Sequence, residues 1–194
     1  PNFEFVNHSC VIISNNDVSL AMDPWIEGSV FNNSWDLLSK TNKKSIKSLK
    51  NSKFIWFSHE HPDHFNPPNL KIFSKKNIFL FQKTLDGRVV KYLKKISPNV
   101  IEISHKDVFQ LSNNFTIEVI PFQYLDSMSI IRIDNLTILN LNDCDIKNES
   151  QLKFIKDKTG PIDILMVQFS YAIGKSNADN IKERQIWALD ILNK

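Results

Sequence analysis

The chain contains little glycine and little cysteine. Its 194 residues include four glycines and two cysteines, Cys10 and Cys144. Two distant cysteines without C-x-x-C spacing do not make a disulfide framework, so a reducing cytoplasm is the simpler expectation. The sequence also has no Gly-rich phosphate loop and no dinucleotide-binding fingerprint, which excludes the nucleotide-binding classes that depend on them.

Long apolar runs are also missing. No segment approaches the roughly 20 apolar residues that a membrane-spanning helix needs, and no signal peptide is visible. The second absence carries little weight, because the printed sequence begins at Pro1 and not at Met. We expect no membrane partner.

The net charge is only +3. The lysines lie in separate groups, around positions 43–50, 75–76 and 94–95, rather than along one face. Nucleic-acid binding requires a denser basic surface with interleaved aromatic residues, so we interpret these lysines as solvated surface. The expected partner is a small-molecule substrate, and a mild preference for an anionic one stays open.

The length and the 42% hydrophobic content predict one globular domain over residues 1–194. Apolar segments bounded by turn residues predict strands at residues 3–6, 10–14, 18–22, 54–57, 78–81, 100–103, 108–111, 115–120, 128–133, 136–141 and 162–167. Helices are predicted at residues 67–75 (with Asn66 as N-cap), 86–95, 150–156 and 178–192, with one more in the irregular stretch 24–52. This order predicts an α/β (α+β) fold of packed sheets with helices outside.

One hexapeptide concentrates metal-binding residue types. His59, His61, Asp63 and His64 directly follow the predicted buried strand at 54–57. Neutral imidazole and carboxylate are the ligands that zinc, iron and manganese accept. The alternative, a polar surface turn or helix cap, does not account for three of the chain's five histidines in six residues. The cluster therefore predicts a metal site.

Residues 58–64, Ser-His-Glu-His-Pro-Asp-His, resemble the signature of the metallo-β-lactamase superfamily. The resemblance implies a four-layer αβ/βα sandwich in which His59 and His61 hold one metal and Asp63 and His64 hold another. It also implies that Asp23 supports the metal-binding loop. The stretches 7–10, 23–28, 126–131 and 138–144 are similar to the lactonase-like branch, and within it to the metallo-β-lactamase domain of CMP-N-acetylneuraminate hydroxylase-type proteins.

By the same resemblance Asp143 would bridge the metals; the alternative is a turn residue in an Asx motif. The family has a further histidine before the Asp143 region, where this chain has none, and Gln123 or Asp126 are the available substitutes. The family's last histidine follows the final helix, beyond Lys194, so the expected fold would be truncated at its C-terminus. A weakened or single-metal site therefore stays open.

The expected cofactor is one or two divalent cations, zinc first, with manganese or iron as alternatives. The predicted activity is hydrolysis of an ester, lactone, amide or phosphoester in a small polar, sugar-derived or anionic substrate, with Asp63 as the catalytic residue that orients water or accepts its proton. One alternative is the corresponding domain of a hydroxylase-type monooxygenase, which would act with a separate Rieske centre. Another is a non-catalytic domain with an incomplete metal site. For His8 two roles stay open, metal-site support and plain turn residue.

Overall fold

The computed structural model describes residues 1–123, 125–168 and 186. In this part of the chain the strands form two sheets, and the chain order matches the order of strands in the first sheet. The first sheet contains β1 (Asn2–Asn7), β2 (Cys10–Asn15), β3 (Val18–Met22), β4 (Phe54–Phe57), β5 (Ile78–Gln82) and β6 (Val100–Ile103). The second, in spatial order, contains β11 (Ile164–Val167), β10 (Leu136–Asn142), β9 (Asp126–Ile133), β8 (Phe115–Phe122) and β7 (Val108–Ser112).

Over residues 1–168, four helical segments accompany the sheets: α1 (Lys43–Asn51), a 3₁₀ helix (Pro67–Ile72), α2 (Arg88–Ile96) and α3 (Glu149–Thr159). Strands β3 to β6 are parallel, whereas β1, β2 and β3 pair antiparallel. Parallel strands are usually covered on both faces, and β4 is accordingly buried at every residue. None of the helices in the described part of the chain is long and apolar enough to span a membrane.

Three apolar layers hold the molecule together. Successive side chains of a strand point to opposite faces, so in β4 Phe54 and Trp56 enter the layer between the two sheets. Ile55 and Phe57 enter the layer that contacts α1, the 3₁₀ helix and α2. A third layer packs the outer face of the second sheet against α3, with Ile155 as the buried helix residue. The result is helix, sheet, sheet, helix, which confirms the predicted four-layer αβ/βα sandwich.

Two details of the predicted helices are wrong. The segment expected as a helix over 67–75 is a 3₁₀ helix that ends at Ile72, where the Phe73 amide donates to the Leu70 carbonyl. Asn66 is its N-cap residue, as predicted, but the side chain makes no capping hydrogen bond. Its Nδ2 donates instead to the Pro62 carbonyl at 2.9 Å. The helix predicted at 178–192 lies outside the described residues. The extent of the single domain, residues 1–194, stays a prediction.

Candidate metal centre

The topology brings several chain segments to one edge of the first sheet. In the parallel pair β3–β4, Met22 is opposite Trp56, so Asp23 and the residues after Phe57 leave the sheet side by side. The Asp23 amide donates to the Trp56 carbonyl at 3.0 Å. Because β2 runs antiparallel to β3, the turn before β2 reaches this edge as well. The start of β9 and the end of β10 arrive there from the second sheet.

Asp23 is the buried acceptor that holds this edge together. It accepts hydrogen bonds from Ser58 N and Oγ, each at 2.8 Å, and from Asn142 Nδ2 at 2.8 Å. It also lies 3.0 Å from His64 Nδ1. Burial would raise the pKa of Asp23, but the charge and hydrogen bond of His64, with the Asn142 amide, lower it below its usual value. Asp23 is therefore ionised. Because it contacts Nδ1 of His64, the Nε2 atom of that ring faces away from Asp23, which is compatible with the predicted supporting role.

His59 is fully buried and follows β4. Its Nδ1 lies 2.9 Å from Ser58 Oγ, and since that hydroxyl donates to Asp23, Nδ1–H is the donor of this contact. Burial first, and then the charge of His64, lowers the pKa of His59 to about 4. The neutral ring thus has its lone pair on Nε2, which faces His61 Nδ1 at 2.9 Å.

His64 has the opposite electrostatic setting. Burial lowers the pKa of its imidazole, but Asp23 and Asp143 prevail and raise it well above its usual value in the metal-free protein. A cation bound at Nε2 would therefore displace a proton.

Three overlapping groups of side chains could each hold a cation, with their ligand atoms within 4.8 Å of one another. The groups are His59, His61 and Asp126; His8, Asp63 and His64; and His59, His64 and Asp143. We call His59, His61 and Asp126 site 1, and Asp63 and His64 site 2. All five predicted metal residues lie in these groups, and their roles as ligands stay predictions.

Asp143 lies between the two sites. Its Oδ2 is 3.7 Å from His59 Nε2, and its Oδ1 is 3.5 Å from His64 Nε2. Burial would raise its pKa, but the hydrogen bond and charge of His64 lower the pKa to about 2. The position fits the bridging interpretation.

Of the two substitutes considered for the missing histidine, Asp126 is the one at the site. Its Oδ1 lies 3.8 Å from His59 Nε2, and its carboxylate belongs to a group that could hold a metal ion. His8 also reaches the cluster, with Nε2 at 3.1 Å from Asp63 Oδ2. The sequence left its role open between metal-site support and a plain turn residue. The antiparallel pairing of β2 with β3, which places the β1–β2 turn beside Asp23, is what brings it to the cluster. Cys144 is buried and His105 is exposed.

A further observation, on Asp63, indicates that these residues fit a divalent cation. Asp63 Oδ1 is buried and has no hydrogen-bond partner in the described part of the chain. A buried carboxylate oxygen without a partner is costly, and a bound cation removes that cost. The set of imidazole and carboxylate donors is the one that zinc, iron and manganese bind.

A family model described as a beta-lactamase superfamily domain matches residues 2–181. The chain belongs to the metallo-β-lactamase superfamily. One curated relative of the chain is the cytidine monophosphate-N-acetylneuraminic acid hydroxylase of Danio rerio. The two are 25% identical over 174 residues, which are 86% of this chain and 28% of that protein. The chain thus spans less than a third of that relative.

Solved structures share the fold. CmlA, a diiron β-hydroxylase from Streptomyces venezuelae, superposes with a TM-score of 0.69 at 15% identity, over 95% of this chain and 39% of CmlA. An isothiocyanate hydrolase from Delia radicum gut bacteria superposes with a TM-score of 0.69 at 12% identity, over 98% of this chain and 81% of the hydrolase. At these identities the likeness is one of fold.

Proposed function

We propose that this chain is a metal-dependent enzyme that binds two divalent cations and hydrolyses an ester, lactone, amide or phosphoester bond of a small polar substrate. The observation that carries the proposal is Asp143, whose two oxygens face a histidine of site 1 and a histidine of site 2. Superfamily membership supports it, since neighbours of the same fold include hydrolases.

The protein's own groups have distinct tasks in this proposal. His59, His61 and Asp126 would hold one cation, Asp63 and His64 would hold the other, and Asp143 would be shared by both sites. Bound cations lower the pKa of a coordinated water and polarise the oxygen under attack. Asp63 would orient that water or accept its proton, in addition to its role as a ligand. Burial would raise the pKa of Asp63, but the hydrogen bond from His8 and the charge of His64 lower it, so the carboxylate is ionised at neutral pH.

Aromatic residues from the loop before α1 border the cluster and would contact a substrate. Phe31 lies against His61 with ring centroids 6.3 Å apart, and against Trp35 at 5.0 Å. Phe31 is also partly exposed, at 38%. An apolar edge beside a charged centre suits a compact polar substrate with one apolar face. The absence of nucleic-acid and membrane partners and the cytoplasmic location stay predictions.

A second candidate function is oxidation, as part of a larger hydroxylase. Asp126 favours it, because a carboxylate at the position of the missing histidine makes the donor set richer in oxygen, which suits iron or manganese better than zinc. The curated relative named as a hydroxylase supports the same candidate. This chain would then supply one part of a longer protein.

Elemental analysis tests the proposal. The chain purified without added metal should retain one or two equivalents of zinc, manganese or iron, and a variant with both His59→Ala and His61→Ala should lose the site 1 cation. His105→Ala, which removes an exposed histidine, is the matched control and should retain the metal of the wild type. Wild-type protein that retains none of these metals and shows no metal-dependent turnover would contradict the proposal.

Asp126→His distinguishes the two candidate functions. If Asp126 selects iron or manganese, the variant should exchange them for zinc, because imidazole suits zinc better than a lone carboxylate does. The measurement is metal content after equilibration with equimolar zinc, manganese and ferrous iron under anaerobic conditions. A wild type that already takes zinc alone, with no change in the variant, would favour hydrolysis over oxidation.

A further inference from the structure

His8 lies in the two-residue turn between β1 and β2, where the pairing of Asn7 with Cys10 closes the hairpin. Since β2 runs antiparallel to β3, this turn is next to the carboxyl end of β3. The His8 ring therefore projects over the loop that follows β4. Its Nε2 lies 3.1 Å from Asp63 Oδ2, and the three ligand atoms of His8, Asp63 and His64 are all within 4.8 Å of one another.

The backbone at His8 is in a conformation that few side chains adopt. Its φ is 48°, in the left-handed region where glycine and asparagine are the usual residues. Strained backbone persists when its surroundings fix it, and it clusters at functional sites. Here the ring is packed edge-on against Trp25 and His64, with centroid distances of 5.3 and 5.6 Å. The turn thus maintains an unfavourable φ at a residue whose ring points into the cluster.

A hydrogen bond alone does not account for this arrangement. The contact from His8 satisfies Asp63 Oδ2 but leaves Oδ1 of the same carboxylate buried without a partner among the described residues. His64 Nε2, 3.5 Å from Asp63 Oδ2, also faces the group. A cation between His8 Nε2, His64 Nε2 and the Asp63 carboxylate would use all of these atoms at once.

We propose that His8 is a metal ligand that supplies the second imidazole of site 2, and that it determines whether the chain retains a cation there. This inference rests on the proposed two-cation function. In this inference the N-terminal hairpin supplies one metal ligand of site 2, and the histidine motif at 59–64 supplies the others. His8 is 33% exposed, so exchange of the site 2 cation with solvent would pass beside this ring.

The experiment compares His8→Gly and His8→Asn with the wild type, and Asn16→Gly is the matched control. Asn16 has a φ of 50° in the β2–β3 turn, so its replacement relieves the same kind of strain away from the cluster. Each protein is loaded with manganese or zinc, dialysed, and analysed for cations per chain and for its urea unfolding midpoint without metal. We expect both His8 variants to retain one cation fewer than the wild type, or to bind it about 10-fold or more weakly. The metal-free midpoint of His8→Gly measures separately what the hydrogen bond to Asp63 and the ring contacts of His8 contribute to stability. Asn16→Gly should retain the wild-type metal content.

The outcomes separate this inference from the proposed function. Two cations in the wild type and in both folded His8 variants would overturn the ligand role and leave His8 as a hydrogen-bond partner of Asp63. One cation in the wild type that both variants retain would overturn it as well, with site 1 intact. A wild type without any cation overturns the proposed function and this inference together. If His8→Gly unfolds, His8→Asn, which also tolerates the left-handed region, decides the question.

Discussion

At the scale of single residues, Asp23 connects three segments of the centre. It follows β3, and its carboxylate contacts Ser58 after β4, His64 in the histidine motif and Asn142 at the end of β10. Asn142 reaches it from a bulged position with a φ of 53°. One buried charge thus orients a histidine and links the two sheets.

We predict that Asp23→Asn destabilises the metal-free protein by about 3 kcal/mol, because His64 then loses the buried carboxylate at its Nδ1 and keeps only the partly exposed Asp143 at its Nε2. Metal affinity should fall about 10- to 100-fold, since the residue that orients a ligand is lost. Urea unfolding and calorimetric metal titration measure the two effects. Asp17→Asn, at an exposed aspartate in the β2–β3 turn, is the control and should change stability by less than about 0.5 kcal/mol. Equal effects of the two variants would contradict the central role of Asp23.

The motif residues at this scale were predictable because they are contiguous. His59, His61, Asp63 and His64 follow one buried strand, and a local pattern is enough to recognise them. Asp126 and His8 are different: each lies more than 45 positions from the motif residue that it contacts. Their presence depends on strand pairing between distant segments, which no local spacing encodes.

At the scale of secondary-structure elements, the 3₁₀ helix anchors the loop that follows Asp23. Asn69 Oδ1 accepts from the amides of Ile26 and Glu27 at 2.6 and 3.0 Å, and its Nδ2 donates to the Glu27 carbonyl at 3.0 Å. Asn69 is almost completely buried, at 1% exposure. One side chain therefore satisfies three backbone groups of a segment that has no regular structure of its own.

We predict that Asn69→Ala loosens this loop more than it unfolds the protein. The variant removes the partner of the buried Ile26 amide and of the part-buried amide and carbonyl of Glu27, which costs about 2 to 4 kcal/mol in total stability. Amide hydrogen exchange at Ile26 and Glu27 should accelerate far more than in β4. The exposed Asn113→Ala is the matched control and should leave both unchanged. Uniform acceleration across the sheets would show that the helix does not act as a local anchor.

Some secondary-structure elements can be predicted from the sequence and others cannot. The strands were predictable because continuous or alternating apolar residues mark them, and β4 has the fully buried pattern that its sequence indicates. The sequence did not predict the type and the end of the helix that follows Asn66. Both depend on tertiary contacts: the loop holds Asn69, and the Asn66 side chain donates to the Pro62 carbonyl. Apolar periodicity carries no information on such tertiary contacts.

At the scale of the whole molecule, the centre lies where the ends of the two sheets meet. Direct links already join them there: Ser127 Oγ donates to the Ser58 carbonyl at 2.5 Å, and Gln82 Nε2 donates to the Leu125 carbonyl at 2.6 Å. The motif histidines follow the first sheet, whereas Asp126 and Asp143 belong to the second. A cation held by both sets would thus connect the two halves of the sandwich.

Metal removal should therefore weaken the whole molecule and not only the site. A ligand at 100 times its Kd stabilises the folded state by about 2.7 kcal/mol, which for a chain of this size raises Tm by roughly 5 to 10 °C. We expect that increase on adding metal to chelator-treated protein, measured by calorimetry. A variant with both Asp126→Asn and Asp143→Asn should show less than half of it, because the cation then contacts only ligands that follow the first sheet. A variant with both Asp17→Asn and Asp107→Asn, at exposed positions, is the control for the change in charge. An undiminished Tm increase in the Asp126 and Asp143 variant would mean that the cation stabilises the first sheet alone and that the two halves are joined by packing and hydrogen bonds.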